Sequence, residues 1–256
     1  MEPKNTNKNA WNRHAQRYQA GVEFSFDNVD YGSIDSKTER ELKLIGDVKG
    51  KKVLELGCGG ANCGIALAKQ GAIVTCVDIS EEQIKFAKLH AARENVNVNF
   101  IVSAMEDVEL GKNVYDVVIS MAALGYIENI DKVFEKVQFS LKEKGIFVCS
   151  PPHAAYSCIT SKYLFDDPVE THSYFYTGPT KWKWEDDDDF EFVTYCRPIS
   201  EYINLLIDNG LMIMRVHELQ ESHEQNESNA DAFEALYPKV LVIKAMKLTH
   251  VLPIPE

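Results

Sequence analysis

Between residues 52 and 150, short apolar runs alternate with longer segments whose apolar residues recur every three or four positions. No other feature of the chain restricts its fold as much. The strand candidates are KVLEL (52–56), AIVTCVD (72–78), VNVNFIV (96–102), YDVVIS (115–120) and GIFVCS (145–150). Between them, GIALAKQG, SEEQIKFAKLHAARE and IDKVFEKVQFSLKEKG read as helices. Ser80 supplies an N-cap followed by acids, and Gly71 and Gly145 stand where C-cap glycines end helices. Such repetition means βαβ units, right-handed crossovers and a parallel sheet. A ligand of such a sheet sits at the carboxyl ends of the strands.

After Ser150 the rhythm stops. Residues 151–197 are rich in aromatics, Pro and Asp and show little period. A helix pattern returns in PISEYINLLIDNG (198–210), followed by two apolar strands, LMIMRVHE (211–218) and PKVLVIKAMK (238–247). The polar segment joining them offers no crossover helix, so the two are expected to pair antiparallel. Basic residues number 27 against 39 acidic ones, a net charge of −12, which argues against a nucleic-acid partner. The six cysteines form no CxxC pair, so neither a zinc site nor a disulfide framework is expected, and they read as buried thiols. No apolar run approaches the roughly 20 residues of a membrane helix. The first ten residues are too polar for a secretory signal, and a cytoplasmic protein is expected.

The chemistry concentrates in VLELGCGGANCG (53–64), an apolar strand end that runs through glycines into a helix. Such a turn brings bare backbone against a ligand. The phosphate-cradling GxxxxGK[ST] motif is absent, and the dinucleotide fingerprint G-x-G-x-x-G fails at Asn62. Asp78, ending the next strand, is placed to accept hydrogen bonds from ribose hydroxyls. Glu55 at the head of the turn suits a cationic aminoacyl or sulfonium group and is awkward beside a pyrophosphate.

VLELGCGGAN, VTCVDIS, VSAMEDV, YDVVISMAALGYI and LKEKGIFVCS, in that order, resemble the core of the class I S-adenosylmethionine-dependent methyltransferases, over roughly residues 50–150. With the terminal strands, the resemblance implies an α/β, Rossmann-like seven-stranded mixed sheet with helices on both faces and a reversed terminal β-hairpin. It implies that Glu55 holds the methionine ammonium, that Gly57, Cys58 and Gly59 give backbone contact to the methionine part, and that Asp78 takes the ribose hydroxyls. Ile79, Ala104 and Met105 would line the adenine, and Ser120, Met121 and Ala122 would close the pocket beneath the sulfonium. Two departures stand out. Ala61 replaces the usual third glycine, which a negative φ would tolerate, and Ala104 replaces an acid often found beside the adenine amine.

The resemblance divides one compact domain into an N-terminal helical cap (1–45), a cofactor-binding core (46–150), a substrate-side insertion or lid (151–197) and a last helix with terminal strands (198–256). The insertion resembles that of a branch acting on small metabolites. His153 is the leading polar group for the acceptor, with Tyr126 nearby after the fourth strand. Tyr174, Tyr176 and Trp182 would stack on the acceptor, and Tyr18 and Tyr31 would close the site from the N-terminal side. EDDDDF (185–190) reads as a solvated loop or an attractor of cationic acceptors. The reading is methyl transfer to an N, O or C centre of a small, planar organic molecule, leaving S-adenosylhomocysteine. No metal, nucleic acid or membrane is expected, and the chain would be a monomer or homodimer. A protein or RNA methyltransferase, a nicotinamide dehydrogenase and a non-catalytic cofactor-binding module remain as alternatives.

Overall fold

The computed structural model describes residues 2–21, 25–32, 37–163, 173–184, 189–219 and 237–249. In chain order, α1 (Pro3–Gly21) and α2 (Glu39–Leu42) precede β1 (Lys52–Leu56), α3 (Asn62–Lys69), β2 (Ile73–Asp78), α4 (Glu81–Arg93) and β3 (Val98–Val102). Next come β4 (Tyr115–Met121), a 3-10 turn (Leu124–Tyr126), α5 (Ile130–Ser140) and β5 (Leu141–Ser150). The remainder is α6 (Ala154–Tyr163), β6 (Pro179–Trp182), β7 (Phe192–Tyr195), α7 (Ile199–Asp208), β8 (Leu211–Leu219) and β9 (Val240–Lys247).

Seven strands form one sheet in the order β3-β2-β1-β4-β5-β9-β8. The first five run parallel, and β9 lies antiparallel to both β5 and β8, the expected reversed hairpin. Strand order turns round between β1 and β4, which opens a crevice beyond their carboxyl ends. Side chains alternate across the sheet as the pleat requires. Val53, Val74, Cys76, Val117 and Val148 face a core shared with Ile65, Leu67 and Ile84 of α3 and α4. Leu54, Val77, Val118 and Phe147 face a second core with Val133, Phe134 and Leu206 of α5 and α7. Ser80 caps α4 as expected, its hydroxyl accepting from the Gln83 amide.

Two features depart from expectation around α5. The helix expected to run to Gly145 ends at Ser140, and β5 begins at once with the fully buried Leu141. Tyr115 pairs with Leu141 and Val117 with Ile146, so the residues between bulge out of register, with Lys144 at φ 59. Gly145 is therefore no helix cap. A Cβ there would stand 2.8 Å from the Lys142 carbonyl oxygen and 3.0 Å from Leu141 Cδ2. The glycine is required by close backbone approach within the bulge.

The N-terminal region is tied down by polar side chains. Asn7 of α1 both donates to the Val193 carbonyl (2.9 Å) and accepts from its amide (2.7 Å), as a neighbouring strand would pair with β7. Asn12 accepts from Ser80 Oγ at 2.7 Å and donates to Glu81 at 2.9 Å. Gln19 donates to Gln83 at 2.7 Å. Farther along, the buried Glu39 carboxylate accepts from the amides of Leu44, Ile45 and Gly46 and from the Tyr31 hydroxyl.

Gly145→Ala should lower stability by about 1–3 kcal/mol, the cost of overpacking a well-packed site. The denaturation midpoint in urea should fall while the slope of the transition stays unchanged.

Candidate active site

A cavity of about 900 Å³ opens where the crevice between β1 and β4 meets α1 and the β6–β7 hairpin. Its floor is the turn after β1. Gly57 and Gly59 take φ values of 71 and 51, and a Cβ on Gly57 would lie 2.3 Å from Ala123 Cβ and 2.8 Å from Met105 Cε. Only bare backbone fits there. Ala61 takes φ 59, so the negative φ under which alanine would replace the third glycine without strain is not met. It opens α3 in the left-handed region, at a cost of roughly 1–2 kcal/mol for a residue with a Cβ.

Two buried carboxylates shape this floor. Asp78 accepts from the Gly59 amide at 2.7 Å and the Ser80 amide at 2.9 Å, which locks the turn after β1 to the turn after β2. Burial pushes its carboxyl above the ordinary value, although those amides and that of Ile79 pull it back down. Glu55 accepts through Oε2 from the Gly64 amide at 2.9 Å and the Cys76 thiol at 3.4 Å. Burial raises Glu55 to about 7, the thiol and amide lowering it and the Asp78 charge raising it further.

Most of the cofactor residues expected from sequence line this cavity: Glu55, Gly57, Cys58 and Gly59 on the first turn, and Asp78 and Ile79 on the second. Ala104, Met105, Met121 and Ala122 line it too. Ser120 does not. Its buried hydroxyl donates to the Leu56 carbonyl at 2.9 Å and ties β4 to β1. Of the acceptor-side residues, Tyr18, Tyr126 and Trp182 are in the wall, and burial raises both tyrosine hydroxyls above their ordinary value.

Four of the acceptor-side residues expected from sequence lie outside the lining. His153 is buried outside the lining, its Nε2 2.8 Å from Glu218 Oε1 on β8 and its Nδ1 accepting from the Ala155 amide at 3.1 Å. With both ring nitrogens engaged, it braces the start of α6 against the terminal hairpin. Tyr31 is fully buried against Glu39 and holds the segment leading into β1. Tyr174 takes up the Ile199 amide at the start of α7, at 3.4 Å, and Tyr176 donates to the Pro179 carbonyl at 3.0 Å. Both sit beside the hairpin, away from the lining. Residues 185–188 of the acidic run lie outside the described residues.

Sequence reasoning missed Trp11, Asp30, Gln83 and Trp184, all of which line the cavity. The WNRHAQRYQ segment carried a usable signal, since Trp11 and Tyr18 lie seven residues apart, two turns along one helix face.

A seven-stranded sheet in this order, with a reversed terminal hairpin and acids ending β1 and β2, is the architecture of the class I S-adenosylmethionine-dependent methyltransferases. Residues 47–187 match the family described as "Methyltransferase domain", and the chain belongs to that family. Among related proteins, the ubiquinone biosynthesis O-methyltransferase of Coxiella burnetii is 32% identical over 133 residues, 50% of this chain and 57% of that protein. The chain thus covers little more than half the length of the curated relatives it matches. A solved structure from Listeria monocytogenes, described as an S-adenosylmethionine-dependent methyltransferase, superposes with a TM-score of 0.65 at 28% identity, covering 82% of this chain and 97% of the other. The magnesium protoporphyrin IX methyltransferase of Synechocystis, solved with bound S-adenosylhomocysteine, shares the fold at a TM-score of 0.59 and 17% identity, covering 96% of this chain and all of that one.

The residues present fit S-adenosylmethionine as the cofactor. No described residue donates a hydrogen bond to Glu55 Oε1, although Glu55 is only 2% exposed and lies in the cavity wall. A buried carboxylate in that position favours a cationic or hydrogen-bonding ligand.

Glu55 also predicts a pH dependence. From about pH 4.5 to about 7 the folded, ligand-free protein keeps a proton that the unfolded chain has released, so its stability should fall as pH rises through this window. The loss is on the order of 3 kcal/mol. In Glu55→Gln that component should be missing, as thermal unfolding at about pH 5 and about pH 7.5 would show. Equal pH slopes in the two proteins would refute the assignment.

Proposed function

We propose that this protein transfers the methyl group of S-adenosylmethionine to an N, O or C centre of a small, planar organic metabolite. The observation that carries the reading is that the glycine turn with its two acids shares one cavity with Trp11, Tyr18, Tyr126, Trp182 and Trp184. When bound, the cofactor supplies an electrophilic methyl group: an acceptor lone pair makes the new bond, and the old bond's electron pair returns to sulfur. The chain's own work is to bind, to orient and to exclude water.

In this reading Glu55 holds the methionine ammonium, and the backbone at Gly57 to Gly59 lies along the methionine part. Asp78, already oriented by two amides, presents its remaining lone pairs to the ribose hydroxyls. Ile79, Ala104 and Met105 flank the adenine, and Met121 and Ala122 lie beneath the sulfonium. The acceptor sits against the aromatic wall, where rings favour a flat organic group. The relatives named as ubiquinone biosynthesis O-methyltransferases support a small-molecule acceptor. The net charge of −12 weighs against RNA.

Calorimetric titration with S-adenosylmethionine, S-adenosylhomocysteine and NADH should give binding of the first two and none of the third. Binding of NADH alone would discard the reading. Asp78→Ala should weaken cofactor binding by about 1.5–3 kcal/mol, the range for a hydrogen bond to a charged group. An unchanged affinity in that variant would remove Asp78 from the ribose.

A further inference from the structure

We infer that the methyl acceptor is a small amine, which the aromatic chamber takes up in its protonated, cationic form. The inference rests on the methyl-transfer reading above and adds the chemical class of its substrate. Three observations lead to it.

The first is the wall. The chain's three tryptophans, Trp11, Trp182 and Trp184, all line this one cavity. Trp11 meets Tyr18 at 5.3 Å and Tyr126 at 5.6 Å between ring centroids, both edge to face. Tyr18 and Trp184 lie within 25° of parallel with centroids 6.5 Å apart. Tryptophan and tyrosine rings in a cavity wall attract a cation through a face left open to it. Trp182 stacks one face on Phe192, with centroids 4.2 Å apart, so its opposite face is the one left for a ligand. Trp184 already takes one cation: the Arg17 guanidinium, outside the lining, lies 5.2 Å from its centroid.

The second is charge. Beyond the cofactor acids, Glu2, Asp30, Glu106, Asp107 and Glu128 line the cavity, against Lys4 and Lys132. Lys4 pairs with Asp107 at 2.5 Å, which leaves the acids in excess along the wall. Asp30 also lines the chamber, its carboxylate held by the Gly32 amide at 2.9 Å.

The third is the choice of proton acceptors. No histidine is among the described lining residues, and the Tyr18 and Tyr126 hydroxyls are held neutral by burial. A phenol must become an anion before it can attack, here among carboxylates. An ammonium need only become neutral. It sheds one proton, which the Asp30 carboxylate accepts and returns to solvent, and the nitrogen lone pair then makes the new bond to the methyl carbon. The chamber never has to hold an anion, and each turnover releases one proton to solvent.

The test needs no turnover. Because every tryptophan lines the cavity, intrinsic tryptophan fluorescence reports on it directly. Full-length protein saturated with S-adenosylhomocysteine would be titrated with phenyltrimethylammonium, its neutral isostere tert-butylbenzene, and benzenesulfonate. The cation should bind at least about tenfold more tightly than the isostere, and the sulfonate more weakly than either. Trp182→Leu and Asp30→Asn should each reduce the preference for the cation severalfold. Equal or tighter binding of the isostere or the sulfonate to the wild-type protein overturns the inference, whatever the variants do. Calorimetry with S-adenosylhomocysteine on the same sample separates the two levels. Product binding without cation preference removes the amine and leaves methyl transfer, whereas no product binding removes both.

Discussion

The cavity floor depends on two carboxylates that hold backbone amides at neighbouring strand ends. Asp78 ties the turn after β1 to the turn after β2 through Gly59 and Ser80, and Glu55 ties β1 to the first turn of α3 through Gly64. Each amide would otherwise be an orphan donor at a helix start or a tight turn. Satisfying them from side chains at the ends of β1 and β2 fixes the turn without a ligand. Both acids are buried, and the Asp78 charge raises the cost of charging Glu55. The site is therefore rigid in geometry and unsatisfied in electrostatics, which is the combination a cation-bearing ligand relieves.

The same division explains what could be read in the chain before its fold was seen. β1 to β5, the antiparallel end of the sheet, and the roles of Glu55 and Asp78 as cavity acids all follow from local pattern, since period and strand-end position lie within a few residues of each other. The failures are non-local. His153 could be assigned only by knowing that Glu218, 65 residues on, reaches its ring. Tyr31, expected to close the site, instead donates to Glu39, which gathers three amides beside it. Gly145 after a charged stretch imitates a helix cap, because the bulge that demands it depends on the register between β4 and β5. Ala61 shows the limit of counting glycines. A left-handed residue was needed there, and the α3 packing holds alanine in it at a tolerable cost.

The outer wall is built on a different principle from the floor. α1 has no apolar stripe; its buried face is Asn7, Ala10, His14 and Ala15. Such a helix cannot be held by hydrophobic burial alone. It is held by specific polar pairs instead, with Asn7 acting as a strand residue toward β7 and Asn12, Gln19 and Lys8 reaching α4. Ala10 and Ala15 are buried at the contact, while Trp11, packed on Phe192 and Tyr126, and Tyr18 stand in the cavity wall.

That construction couples the two halves of the cavity. Ser80 is at once the N-cap of α4, a partner of Asn12 in the wall, and an amide donor to Asp78 in the floor. Gln19, whose amide lies where a side chain on Gly60 would go, donates to Gln83, which also lines the cavity. The Asp78 carboxylate is therefore one residue, Ser80, removed from the helix that carries Trp11 and Tyr18. The floor and the aromatic wall are in this way parts of one hydrogen-bonded frame.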